Sequence, residues 1–92
     1  MNTFNLVFKK STTRLAGFPY GKEIYDSQVK NKIDFTNKIT IIFPDNIEKI
    51  ASSFTQGFFE EIVQKIGLLD FEKKVDVVAK DKVKASIYND LF

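Results

Sequence analysis

Ninety-two residues, 43% of them apolar and including ten Phe and three Tyr, are enough for one folded domain (residues 1–92) with a thin core. The chain has no Cys and no His, which excludes disulfides, thiolate nucleophiles, Ser-His pairs and imidazole-bound metals, so no cofactor is expected. Thirteen Lys and the single Arg14 stand against 12 acidic residues for a net charge of +2; this reads as a mixed, solvated surface, not as one built for nucleic acid.

The first residues, MNTFNLVFKK, lack a basic stretch followed by an apolar run, and no segment approaches the roughly 20 apolar residues that span a bilayer. A cytoplasmic protein without a membrane partner is the expectation. Residues 3–9 alternate, with Phe4, Leu6 and Phe8 on one side, and predict a strand. Residues 14–21 hold two Gly and Pro19 and read as a loop, with Pro19 placed where a helix starts. Ile24, Tyr25, Val29 and Ile33 then recur at helical intervals and predict a helix over 20–32. Residues 38–43, rich in β-branched side chains, predict a second strand; Ile39, Ile41 and Phe43 share one face and Ile42 takes the other, as in a sheet covered on both sides.

Ser53 and Gln56 have capping-box spacing at the start of a helix over 53–66. Its apolar face comprises Phe54, Phe58, Phe59, Ile62, Val63 and Ile66, and Gly67 supplies the residue that ends it. A third strand over 74–79 carries Val75, Val77 and Val78. Asp81 is placed to cap a last helix over 82–91 with Val83, Ile87 and Leu91 as its stripe. The order β-α-β-α-β-α predicts an α/β domain, a mainly parallel sheet with helices packed over it. The expected core is Phe4, Leu6, Phe8, Ile41, Phe43, Phe58, Ile62, Val77 and Ile87. The aromatic excess and the edges of a three-stranded sheet suggest a homodimer.

No set of acid, base and nucleophile emerges and no phosphate-binding glycine loop is present, so the chain does not read as an enzyme. Ser52-Ser53, at the mouth of the long helix, is the leading candidate site. Ser53 reads as the helix cap; either serine also reads as a phosphoacceptor, because a phosphate there would meet free N–H groups and the positive helix end. Arg14, following Thr13, reads either as an anion ligand facing the same pocket or as an ordinary surface cation. Asp45, in the turn Pro44-Asp45-Asn46, reads as an Asx turn or a cation or hydroxyl ligand.

The segment from Ile41 to Phe54 resembles the STAS domains of bacterial anti-sigma-factor antagonists, and more closely the STAS-like family of bacterial proteins. Ile41 to Phe43 match the strand, Ile47 and Ile50 the spaced apolar positions, and Ala51-Ser52-Ser53-Phe54 falls on the serine motif. Thr13-Arg14 and Gly21-Lys22-Glu23-Ile24 resemble that family's N-terminal half, and Lys82-Val83-Lys84 its ending. Phe43, Ala51, Gln56 and Gly57 stand where the families carry acidic residues. The resemblance implies a small regulatory module that binds a protein partner, such as a histidine-kinase-like serine kinase that phosphorylates the motif serine. A freestanding inhibitor or accessory protein, of the kind phages carry, is the alternative on the same scaffold.

Overall fold

The computed structural model describes residues 2–92. Five strands and three helices follow in the order β1 (Thr3–Asn5), β2 (Arg14–Leu15), α1 (Phe18–Gln28), β3 (Ile39–Ile42), β4 (Lys49–Ile50), α2 (Ser52–Lys74), β5 (Val75–Val78) and α3 (Asp81–Leu91). β1, β3 and β5 form a parallel sheet in that spatial order, and β2 and β4 form a separate parallel pair. The expected α/β architecture, with helices over a parallel sheet, is borne out.

The main strands lie in the predicted places, but the first is shorter. Leu6 donates to the Ile42 carbonyl at 2.9 Å. The next rung of a parallel ladder would need an N–H from residue 44, which is Pro44, so pairing stops there. α1 starts two residues before its predicted start and ends at Gln28, four residues early. There the Gln28 amide turns to the Val7 backbone, and Val29 tucks into the core.

α2 departs most from expectation. Gly67, at φ 79° and ψ 163°, does interrupt the helix, but residues 68–74 resume it. The resumption seats Phe71, fully buried, against Phe59 with ring centroids 5.5 Å apart. The cap of α3 is Lys80, with Asp81 in the first helical turn, where its charge still suits the dipole. The unpredicted pair β2–β4 needs only Leu15 beside Ile50, both buried, and two residues are too few to show a period.

The order β1-β3-β5 never reverses. With right-handed crossovers, α1 and α2 then fall on one face of the sheet. The burial pattern agrees: Phe4, Leu6, Ile39, Ile41, Phe43, Val75 and Val77 are buried, whereas Thr3, Asn5, Val7 and Val78 are exposed. The two-sided covering inferred from Ile42 is therefore not what the chain builds; Ile42 is half-buried on the open face. Of the expected core, only Phe8 is incompletely buried.

Both sheet edges are guarded. Asn2 and Leu6 direct backbone groups to β3, so by alternation Val7 faces outward. The Gln28 carboxamide pairs with both Val7 backbone groups, donating to its carbonyl and accepting from its N–H at 2.8 Å each. At the other edge the Tyr88 hydroxyl reaches 3.4 Å from the Val75 carbonyl. Seven of the ten Phe and all three Tyr join one chain of ring contacts from Phe8 to Phe92. The aromatic excess is thus largely spent inside the domain.

Phe58 sits at the centre of that chain, touching Tyr25, Phe43, Phe54 and Phe59. Phe58→Ala is expected to cost about 3–5 kcal/mol in urea unfolding; a loss below about 1 kcal/mol would mean the surrounding rings can close the cavity. Gln28→Ala should leave the fold intact but free the β1 edge, so that sedimentation detects more self-association than in the wild type.

Candidate functional site

α1 and α2 run side by side, and matched positions recur every four residues. Gly17 bonds to Ser53 and Tyr25 to Glu61, each pair 36 residues apart; between them Gly21 and Gly57, also 36 apart, lie against the other helix's backbone. A Cβ on Gly21 would lie 2.3 Å from the Phe54 carbonyl oxygen, and one on Gly57 would lie 2.1 Å from that of Phe18. The backbones therefore touch where neither residue has a side chain. Above this crossing the Gly17 N–H donates to Ser53 Oγ at 2.9 Å. Below it the Tyr25 hydroxyl donates to Glu61 at 2.5 Å. Burial, and then the Glu61 bond, push the Tyr25 phenol far above its ordinary pKa, so it stays a donor.

This arrangement changes the reading of the serine pair. The helix cap is Ala51, with extended backbone and no side-chain hydrogen bond into the helix. Ser53 lies in the first turn and accepts from Gly17 instead of capping, and Gln56 donates to the Asp90 carbonyl at 2.9 Å, so there is no capping box. Ser52, the first helical residue, is exposed. The first turn holds no acidic side chain, so the positive end of α2 faces outward unneutralised.

Arg14 and Lys49 are direct partners across the β2–β4 pair, and both are exposed. Like charges placed opposite one another repel, and the pair leads into the two strand-to-helix turns. Ala51 donates to the Leu15 carbonyl at 2.8 Å, which holds those turns together. Arg14 and the serines thus share one end of the molecule, although no hydrogen bond joins Arg14 to Ser52 or Ser53 among the described residues. Thr13 contributes through its backbone: its carbonyl accepts from Glu48 and Lys49 at 2.7 and 3.2 Å. Asp45 is exposed beyond this cluster, in a turn closed by the Ile47 N–H on the Pro44 carbonyl, and its charge acts on Lys80.

Glu48 was not apparent from the sequence. Its carboxylate accepts from Lys80 at 2.5 Å and lies 3.2 Å from the Lys82 ammonium. These two hydrogen bonds, Lys80 first, hold its carboxyl below the ordinary glutamate value. The ionic ties join the turn after β3 to the start of α3 and had no local signal, because the partners are more than 30 residues apart. No group of metal-ligating side chains exists among the described residues, and no helix is long and apolar enough to cross a membrane.

Ser53→Ala should destabilise by about 1 kcal/mol and speed hydrogen exchange at the Gly17 amide, whereas Ser52→Ala should stay within about 0.5 kcal/mol. Equal effects at both positions would contradict the assigned roles. Because the folded-state pKa of Glu48 is depressed, its stabilisation is present above the ordinary value of about 4.3 and is lost as pH falls through the folded pKa. The stability difference between wild type and Glu48→Gln should therefore be constant near neutrality and shrink below about pH 4; a difference independent of pH would show that the charge contributes nothing.

No protein-family model, no curated protein and no solved structure matches this chain.

Proposed function

We propose that the chain is a small non-enzymatic regulatory module that binds a protein partner through the α2 N-terminal end, and that Ser52 is its modification site. The observation that carries this reading is the division of labour within the serine pair. Both serines are exposed; Ser53 is engaged with the Gly17 N–H, while Ser52 stands at the first position of a helix with no side-chain cap. A phosphate on Ser52 would add negative charge at the positive end of α2, near the like-charged Arg14 and Lys49, and would ease their repulsion. The resemblance to anti-sigma-factor antagonists supplies the partner class, a histidine-kinase-like serine kinase.

Ala51 stands where the resembled serine motif has Asp. That substitution supports a second reading, a freestanding inhibitor or accessory protein that binds its partner without being phosphorylated.

Ser52→Asp should preserve the unfolding midpoint, since a negative charge suits that position, and should change affinity for the partner. Arg14→Ala should weaken binding of the phosphorylated form. Intact-mass analysis after incubation with cell extract and ATP should show one phosphate, mapped to Ser52. Equal recovery of the same partners by wild type, Ser52→Asp and Arg14→Ala, with no phosphate gained, would leave this end of the molecule a structural feature only.

A further inference from the structure

Charge is segregated in this chain. Segments 9–14, 45–49 and 80–84 hold seven cations and three carboxylates, a net of +4 in a chain whose total is +2, so the remainder is net acidic. All strands of the main sheet are parallel, and these segments follow the carboxyl ends of β1, β3 and β5, so the surplus lies along one edge. Hydrogen bonds stitch them together: Asn46 Nδ2 donates to the Thr12 carbonyl at 2.7 Å, and Lys80 and Lys82 both close on Glu48.

Within this edge, β4 and α3 border a notch of about 320 Å³, lined by Glu48, Lys49, Ile50, Lys82, Val83 and Ser86. Ile50 and Val83 are buried hydrophobics and give it an apolar floor. Lys80, 2.5 Å from Glu48, already balances that carboxylate, so Lys49 and Lys82 supply positive charge in excess at the rim. Lys82, 3.2 Å from Glu48 Oε1, is 63% exposed, and its ammonium keeps further N–H groups for a second anion. A volume near 320 Å³ is at the small end of ligand sites and suits one or two side chains.

We propose that this notch receives an acidic side chain of a partner protein. The aliphatic stem would lie on Ile50 and Val83, the carboxylate between Lys49 and Lys82, and the Ser86 hydroxyl would donate to it. The observations favour a protein over a nucleic acid. Asp45, Glu48 and Asp81 are interleaved with the cations and would repel a continuous phosphate backbone, whereas a single carboxylate can sit between them. The cations are lysines apart from Arg14, point charges without the forked geometry that favours phosphate. This site does not involve Ser52 and stands whether or not that serine is modified.

The probe is the capped peptide Glu-Val-Glu-Val, titrated into the ¹⁵N-labelled full chain at low salt. Amide shifts should concentrate at residues 48–50 and 82–86, and added salt should weaken binding. The double reversal K49E/K82E should reduce affinity about tenfold or more, with the rest of its spectrum unchanged as a check on folding. Ser52→Ala, which changes no charge, should bind the peptide as wild type does, which separates this site from Ser52. Absence of shifts at millimolar peptide, shifts centred elsewhere, or affinity unaltered in K49E/K82E would overturn the proposal. So would tighter binding of a short oligothymidylate on the same residues.

Discussion

The contact between α1 and α2 at Gly21 and Gly57 is the constraint on which the rest of the molecule depends. Two backbones meet there at distances that no side chain allows, and the more extensive α1–α2 packing follows from that approach. It brings Gly17 within reach of Ser53 and Tyr25 within reach of Glu61. It also sets how closely Phe54 and Phe58 come to the sheet, and so where the aromatic chain can form. A helix that gives up side chains at its crossing gains close packing and loses local propensity, because glycine costs roughly 1 kcal/mol relative to alanine in a helix. The sequence retains glycine at both places because the contact outweighs that loss.

The same crossing fixes the residue at position 57: any side chain there would run into the Phe18 carbonyl. The singly wound sheet has a different consequence. With both crossovers on one face there is no point where strand order reverses, hence no crevice of the kind that binds cofactors in doubly wound sheets. What the topology offers instead is surface: the α2 end beside Arg14 and Lys49, and the carboxyl edge with its notch.

The architecture was legible because its signals are local and repeated. Alternation at Phe4, Leu6 and Phe8, the β-branched run at 39–42, and the helical stripe from Phe54 to Ile62 each declare their element within a dozen residues. What was not legible depends on partners distant in sequence. Ser53 looks like a cap because serine at a helix start normally is one; its real partner is the Gly17 N–H, 36 residues away. Gly67 looks like a helix end, and it is one locally, but the burial of Phe71 restarts the helix. The β2–β4 pair and the Glu48 ion pairs carry no period at all. One signal was available and would have located the crossing: the four-residue spacing of Gly17, Gly21 and Tyr25, repeated in Ser53, Gly57 and Glu61.

The central claim is that the glycine crossing of α1 and α2 holds this fold together, and the sign of one stability change tests it. In an ordinary helix interior, Gly→Ala stabilises by up to about 1 kcal/mol. At position 57 the added Cβ would sit 2.1 Å from the Phe18 carbonyl oxygen, and forcing such packed backbones apart costs about 1–3 kcal/mol or more. Urea unfolding of Gly57→Ala should therefore show a lower midpoint than wild type, with the Gly17 amide losing protection as the helices separate. A midpoint equal to or above that of wild type would contradict the account, because it would mean that α1 and α2 do not meet backbone to backbone at this residue.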